Sequence, residues 1–385
     1  MATRYARAQL SVGALKPIQG PFAWCPMPTQ TSPCFRAFGH ADFDPARLND
    51  PRAPKCPVQG CSTALLNIAY GRQEDREGRP RDRKMPWCPE HCIRLHSNTF
   101  VYWNGDGLED DARLRNFIVE PDLVRAVALR KGMKAEAHRL GYEMSEDALS
   151  WNVFVSLAVA GRLRDSAQYL TDRVLRSEPS LYLWGRHIDL RHGDSSLFSE
   201  LVRVRDMLEK DIRRFPTEPD IMLVAPGEMV ICIEAKFGSG NPLAHESVNG
   251  PDEKPTGRQA LLDRYLTSSE YARRSVQPNR IAERFHSQLF RNIVFACEMA
   301  GELPWHVVNL ASDTQRGTAD EVRYSFVPPT EDVRRYLRPD RQHCFTYRTW
   351  EGLYAALIRD GARLGELDRY LRGKSAHYRR AFELS

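Results

Sequence analysis

The residues best suited to chemistry lie at the two ends of a short stretch near the middle of the chain. Asp220 follows Pro219, and further on Glu234 and Lys236 flank Ala235. Between them, Ile221 to Val224 and Met229 to Ile233 are apolar runs rich in β-formers, and Pro226-Gly227 separates them with turn chemistry. The stretch therefore predicts a β-hairpin. Side chains two apart on a strand share a face, so Cys232, Glu234 and Lys236 point one way and Ile231, Ile233 and Ala235 the other. Loop length decides what Asp220 meets. A three-residue loop, Pro226 to Glu228, pairs Ala225 with Met229 and sets Asp220 opposite Glu234 on the same face. A two-residue loop would set it opposite Ile233, on the wrong face. The three-residue loop is the expectation.

Two carboxylates at close range repel, and the usual remedies are a shared proton or a hard cation such as magnesium or manganese. A cation held by Asp220 and Glu234 would bind a phosphate oxygen and a water, with Lys236 orienting or deprotonating that water and stabilising developing charge. That is an outfit for phosphodiester hydrolysis. Pro219-Asp220 opening one strand and Glu234-Ala235-Lys236 closing its partner resembles the signature of the PD-(D/E)XK, or restriction-endonuclease-like, nuclease superfamily, over about the middle third of the chain. The resemblance implies an α/β (α+β) fold with a mixed central sheet flanked by helices. It also implies an acid lent by the first core helix. Glu146 is the candidate, in the first turn of a helix capped by Ser145, where a carboxylate suits the helix dipole; Glu200, on a second helix expected over 196–213, is the rival. A later helix in that superfamily often carries Gln or Lys toward the site, and Gln259 fits that position.

A second set of residues suits a softer metal. Six of the nine cysteines lie between Cys25 and Cys92. In a reducing compartment such clustering points to metal rather than disulfides. Cys56-Pro-Val-Gln-Gly-Cys61 and Cys88-Pro-Glu-His91-Cys92 read as two close-spaced knuckles able to supply the four tetrahedral ligands that zinc takes. Gly60 gives the first knuckle its backbone freedom. The expected set is Cys56, Cys61, Cys88 and His91, with Cys92 the alternative fourth ligand, and the pattern looks like a treble-clef or zinc-ribbon finger. Cys25 and Cys34 form a weaker pair.

Other elements must position these residues. Gly71 to Lys84 is dense in charge and reads as a loop. Thr99 to Trp103 reads as a strand ended by the turn Asn104-Gly105-Asp106-Gly107. A helix is predicted over 121–140, with Pro121 in its first turn and Gly141 past its end. Another follows Ser145, with Leu149, Val153, Leu157 and Ala160 on its core face. Leu181 to Ile188 reads as one strand. Gly238 to Gly257 reads as a loop beside the acids, able to close over DNA or RNA. Ile293 to Cys297 is an apolar segment, His306 to Leu310 a later strand of the same sheet, and Cys344 to Arg348 another strand before a helix beginning at Trp350. Arginines between Arg258 and Arg291, interleaved with Tyr265, Tyr271, Phe285 and Phe290, suggest a nucleic-acid surface. The basic run Arg369 to Arg380 suggests a second phosphate-binding face.

Length, 385 residues, implies more than one core. The expected division is a zinc-binding module over 1–110, a helical connector over 111–144, a nuclease-like core over 145–350 and a basic helical segment over 351–385. The composition, 42% hydrophobic and 27% charged with a formal net charge of +5, is that of a globular protein tolerant of a polyanionic partner. No apolar run is long enough to span a membrane, and the first residues lack a signal peptide's hydrophobic segment, so a cytoplasmic protein is expected. No Gly-rich phosphate loop ending in Lys-Ser/Thr and no Gly-x-Ser-x-Gly elbow occurs. The reading that results is a magnesium- or manganese-dependent endonuclease acting on nucleic acid, DNA first, with a zinc module, a homodimer or a larger complex as its working form, and restriction, antiviral defence, repair or mobile-element processing as settings. The alternative is a zinc-finger nucleic-acid-binding or scaffold protein with an inactive nuclease-like core.

Overall fold

The computed structural model describes residues 47, 55–74, 80–96, 99–103, 109–129, 137–193, 195–210, 217–243, 258–277, 285–315, 324–325, 327–361 and 363–385. Cys25, Cys34, the turn at 104–107 and the loop residues 244–257 lie outside them. The architecture is mixed α/β.

Four strands, β1 (Leu66–Glu74), β2 (Pro80–Cys88), β3 (Ile93–Leu95) and β4 (Phe100–Tyr102), form an antiparallel sheet in sequential order. The charged stretch expected to be a loop is, in its described part, the far end of the β1–β2 ribbon, where the register sets Arg72 opposite Asp82. Near the knuckles the ribbon joins a small core of Val58, Ile93, Leu95, Phe100 and Tyr102.

Next come α1 (Glu109–Leu114) and α2 (Pro121–Val124), a widened π-turn over Arg125–Leu129 and a 3-10 turn over Ala137–Gly141. The single helix predicted over 121–140 is thus α-helical only in its first described turn, and the backbone widens where Val127 and Ala128 enter the core. Helix α3 (Glu146–Val159) begins as expected: the Ser145 hydroxyl accepts from the Ala148 amide at 3.2 Å, and Leu149, Val153 and Leu157 are buried. Helix α4 (Leu163–Thr171) follows.

The segment Leu181 to Ile188, read as one strand, is a tight hairpin of β5 (Ser180–Leu183) and β6 (Arg186–His187). Trp184 and Gly185 carry the two positive φ angles, 53° and 73°, that a two-residue primed turn demands. A Cβ at Gly185 would lie 2.4 Å from Leu201, so glycine is also needed for space. The remaining elements in order are α5 (Ser199–Leu208), β7 (Ile221–Ala225), β8 (Met229–Ala235), β9 (Asn241–Pro242), α6 (Arg258–Ser268), α7 (Glu270–Ser275), α8 (Ser287–Ala300), β10 (Trp305–Ala311), β11 (Tyr324–Ser325), α9 (Thr330–Tyr336), β12 (Phe345–Thr349), α10 (Trp350–Leu353), α11 (Gly365–Gly373), β13 (Ser375–Ala376) and β14 (Arg379–Arg380). The apolar segment Ile293 to Cys297 belongs to α8, His306 to Leu310 falls on β10, and of the stretch read as a strand over Cys344 to Arg348 all but Cys344, which ends a 3-10 turn, falls on β12.

The central sheet has six strands in the order β12-β10-β8-β7-β5-β6. Strands β12, β10 and β8 are parallel, and β8, β7, β5 and β6 run antiparallel in turn. Strand β8 lies in the middle with all seven residues buried, as an apolar run covered on both faces requires. On one face Ile221, Leu223, Ile231, Ile233, Val308 and Leu310 join α3, α4, Trp350 and Phe382 in one core. On the other, Met222, Val230, Cys232, Val307 and Phe345 pack with α5, α6 and α8. Truncating Ile231 or Ile233 to Ala would cost about 2–5 kcal/mol.

A buried ion pair ties the chain's distant parts together. Lys374 Nζ donates to Glu143 Oε2 at 3.2 Å and to Asn116 Oδ1 at 3.1 Å, and Tyr102 of β4 donates to the same Glu143 oxygen. Glu143 Oε1 accepts from the Ser375 amide at 3.0 Å. Lys374, read from sequence as part of a phosphate-binding face, is instead fully buried. Arg372 of the same run is engaged by Asp368 and Tyr354. The reason is the acid partners: Asp368 lies just before the basic run, and Glu143 lies far away in sequence. Among the described residues, no helix is long and apolar enough to cross a membrane.

Candidate functional site

The hairpin loop has three residues. Ala225 pairs with Met229 and the ladder runs to Ile221 opposite Ile233, so Asp220 stands one step on, opposite Glu234. Asp220 Oδ2 accepts from the Ala235 amide at 2.8 Å, and its own carbonyl accepts from the Trp184 amide at 3.2 Å, which fixes the start of β7 against the β5–β6 turn. The approach to Asp220 is fixed as well. Glu209, buried at the end of α5, accepts from the Thr217 amide at 2.6 Å, from Tyr265 at 2.6 Å and from Arg291 at 3.0 Å, and Arg205 donates to the Thr217 carbonyl at 2.8 Å.

Lys236 Nζ donates to Glu234 Oε1 at 2.6 Å, and both groups are nearly sealed from solvent. The backbone beyond β8 is held on both sides: the Lys236 amide donates to Leu310 of β10 at 2.8 Å, and the Lys236 carbonyl accepts from the Trp350 indole at 3.1 Å. Glu146 reaches the same corner from the first turn of α3. Its Oε1 accepts from the Phe237 amide at 2.7 Å and the Ser239 hydroxyl at 2.6 Å. Asp147 beside it accepts from the Trp184 indole at 2.7 Å.

The electrostatics follow from this crowding. Burial, and then the charge of Glu234, push the Asp220 carboxyl well above the ordinary range. Burial also raises Glu146, with Lys236 opposing. Burial alone would lower Lys236, but Glu234, Glu146 and Asp220 outweigh it and hold the ammonium above its ordinary value. Lys236 is therefore held in its cationic form in this arrangement.

Of the hairpin-site residues read from sequence, Asp220, Glu234, Lys236 and Glu146 come together. Glu200 does not: it sits on α5 paired with Arg203 at 2.7 Å in an exposed setting. Gln259 lies on α6, but its side chain is outside the described residues. Two buried amides were not foreseen. Asn292 of α8 donates to Glu234 Oε2 at 2.7 Å, and Asn309 of β10 exchanges hydrogen bonds with Asn241 while donating to the Glu234 carbonyl at 3.3 Å. A signal existed: Asn292 lies three after Leu289 and four before Ala296, on the apolar stripe of its helix, where a polar residue needs a partner.

The nucleic-acid surface read between Arg258 and Arg291 is not found as drawn. Tyr265, Phe285 and Phe290 are wholly buried in the core, so their rings cannot stack on bases. Arg273 caps backbone carbonyls of α6, Arg274 pairs with Glu270, and Arg291 pairs with Glu209. The sequence interleaving is that of helices with a packed underside.

The Cys/His set converges. Donor atoms of Cys56, Cys61, Cys88 and His91 all lie within 4.8 Å of one another. The Cys88 and Cys56 sulfurs are 3.4 and 3.7 Å from His91 Nδ1, and Cys61 and Cys88 sulfurs are 3.9 Å apart. A tetrahedron with metal–sulfur bonds of about 2.3 Å has edges of roughly 3.8 Å, so the spacing fits a four-coordinate ion such as zinc. The hydrogen bond from Cys56, aided by His91, pulls the Cys88 thiol down to about 4. Cys92, the alternative ligand, turns elsewhere: its backbone takes a φ of 49° and its thiol donates to the Pro89 carbonyl at 3.4 Å. Gly60 adopts a φ of 78° in the first knuckle. Arg115 donates to the His91 and Cys92 carbonyls at 3.1 and 2.8 Å and lies over the Tyr102 ring, linking the second knuckle to the rest of the chain. No family model, no curated protein and no solved structure matches the chain.

Proposed function

We propose that the chain is a divalent-cation-dependent nuclease, with a PD-(D/E)XK-like active site at the corner where β7 begins and β8 ends. One observation carries the reading: Asp220 faces Glu234 across the hairpin, Lys236 lies 2.6 Å from Glu234, and Glu146 enters from α3. The order of a helix, three antiparallel strands, a helix and a parallel strand, running α3, β5, β7, β8, α8, β10 with α4 before β5, with β6 and α5 between β5 and β7, and with β9, α6 and α7 between β8 and α8, supports a restriction-endonuclease-like core.

Asp220 and Glu234 are the residues that would hold magnesium or manganese, with Glu146 beside them. The donor set is all carboxylate oxygen, the choice of a hard cation, and burial together with the neighbouring Glu234 disfavours the Asp220 charge that such a cation would offset. A bound cation would polarise a phosphate oxygen and lower the pKa of a water. Lys236 would supply a positive charge beside the developing pentavalent phosphate and orient the attacking water through its N–H donors. Asp220, Glu234 and Glu146 keep that ammonium protonated and aimed. Zinc is the ion we assign to Cys56, Cys61, Cys88 and His91, where it would brace a module whose core is too small to hold alone.

DNA is the first substrate to test, and a homodimer is the form expected to cut both strands. Supercoiled plasmid incubated with Mg²⁺, with Mn²⁺ and with EDTA, beside the Asp220→Ala variant, decides the matter. Cation-dependent nicking or linearisation lost in the variant is the expected result. Cleavage that persists in Asp220→Ala would move the active site elsewhere. An inert wild type on DNA and RNA alike would leave the zinc-bearing scaffold reading.

A further inference from the structure

Glu234 is held by both of its oxygens. Oε1 accepts from Lys236 at 2.6 Å and Oε2 accepts from Asn292 at 2.7 Å, and all three side chains are more than nine-tenths buried. The two donors differ in kind. Lys236 lies just beyond β8 and carries its ammonium on a long stem with several rotatable bonds. Asn292 is mid-helix in α8, which packs along β8 and β10 with Phe290, Ile293, Val294 and Phe295 sealed around it. Its short side chain has little room to move, and its amide can only donate here. From behind, Asn309 fixes the Glu234 carbonyl. One oxygen is thus held by a short, packed side chain and the other by a long one.

We propose that Asn292 is a positioning residue that anchors Glu234 Oε2, leaving Oε1 as the oxygen a divalent cation takes from Lys236. The inference rests on the nuclease reading of the same corner and adds how the ligand is aimed. Cation entry and release of the lysine become one event: as Oε1 exchanges its partner, the Lys236 ammonium is freed toward the substrate while Asn292 prevents the carboxylate from rotating. Without the amide, Glu234 would turn to keep Lys236, and the cation would lose an oriented ligand. Partners that hold a metal ligand in place typically contribute about 10- to 100-fold in affinity.

The test measures Mn²⁺ binding by titration calorimetry on the wild type, Asn292→Ala, Asn292→Leu and Asp220→Ala, with zinc content and apo melting temperature recorded for each. The expected result is a Kd weakened about tenfold or more in both Asn292 variants. In cleavage assays the Mg²⁺ concentration for half-maximal rate should rise by a similar factor, while kcat at saturating Mg²⁺ changes by less than threefold. A merely structural role would lower melting temperature and kcat without moving the Mg²⁺ dependence, and that outcome overturns the proposal. Leucine fills the volume that alanine leaves, so one variant serves if the other fails to fold. Wild-type protein gives an independent readout: the Asn292 side-chain amide resonance should shift on Mg²⁺ addition, and an unchanged resonance at saturating Mg²⁺ counts against the anchor. Mn²⁺ binding lost in Asp220→Ala but intact in both Asn292 variants sinks the anchor alone. No Mn²⁺ binding by the wild type sinks the nuclease reading and the anchor with it.

Discussion

The two candidate metal centres differ in what their donor atoms face. In the Cys/His set, sulfur faces sulfur and nitrogen at 3.4 to 3.9 Å, close to the edges of a filled tetrahedron. At the hairpin the carboxylates face protein donors instead: the Ala235 amide, Lys236, Asn292, the Phe237 amide and Ser239. The first arrangement suits a resident ion that holds the fold. The second satisfies its acids with protein donors, which on the nuclease reading suits a cation that comes and goes with substrate. Spacing in sequence reflects the same division, since each knuckle brings its own ligands close while the acids meet only once a sheet has formed.

The sharpest break of this comparison is at the knuckles. Cys88→Ser removes a ligand from the middle of the cluster, and a structural zinc site contributes on the order of 10 kcal/mol. The expected outcome is loss of bound zinc by mass spectrometry and fast hydrogen exchange over residues 55–103. If the module stays protected with no zinc, the cluster is only a small core of thiols.

Next in size is the chemistry at the hairpin. Lys236→Ala or Asp220→Ala should reduce cleavage by about 10³-fold or more, equivalent to roughly 4 kcal/mol, while zinc content and circular dichroism stay those of the wild type. Glu146→Gln should lose less, because a glutamine oxygen can still accept from the Phe237 amide and the Ser239 hydroxyl that hold Glu146. Equal losses from all three would make Glu146 a full ligand.

Between the two centres lies the buried pair of Glu143 and Lys374. Removing one partner leaves a buried charge uncompensated, so Lys374→Met should destabilise by about 3–5 kcal/mol. Because Tyr102 and Ser375 share Glu143, the effect should extend to both the zinc sheet and the tail. Exchange protection that falls in only one of them would show that the pair does not couple them. Adding Glu143→Leu to Lys374→Met should recover much of the loss.

How much of this could be read from residues follows the same line between local and distant. The hairpin register was legible because Pro226-Gly227 and the alternation on either side leave one loop length that puts acids on one face. Ser145 as a cap and the convergence of Cys56, Cys61, Cys88 and His91 were legible for the same local reason. The β5–β6 turn was missed because Trp184-Gly185 interrupts an otherwise β-rich run, and only the positive φ at tryptophan reveals it. Asn292, Asn309 and the Glu143–Lys374 pair were missed because their partners lie far along the chain, and a buried polar residue shows that it has a partner without naming it. The arginine and aromatic pattern misled because charge on one helix face and rings on the other look alike in sequence whether the rings face water or a core.

The smallest expected effect tests whether the acid corner carries a cost that the Cys/His site does not. Asp220 has a raised carboxyl because burial and Glu234 disfavour its charge. A raised folded-state value means that the native protein holds this proton more tightly than the unfolded chain does. The stability it contributes is full below the ordinary carboxylate range and is lost as pH rises through the raised value. As pH rises the wild type must either keep this proton or bear a buried charge, a cost that Asp220→Asn lacks, while the asparagine oxygen can still accept from the Ala235 amide. With EDTA present at a concentration that leaves zinc bound, Asp220→Asn should be more stable than the wild type by about 1 kcal/mol at pH 8. The gap should close as pH falls toward 4. Mg²⁺ should stabilise the wild type at pH 8 and leave the variant unchanged, because the cation relieves the same repulsion that the substitution removes. Urea melts at three pH values, with and without Mg²⁺, measure this. A variant less stable than the wild type at pH 8 would mean that the Asp220 charge is already well satisfied by its neighbours, and the hairpin would then resemble the zinc site in needing nothing further.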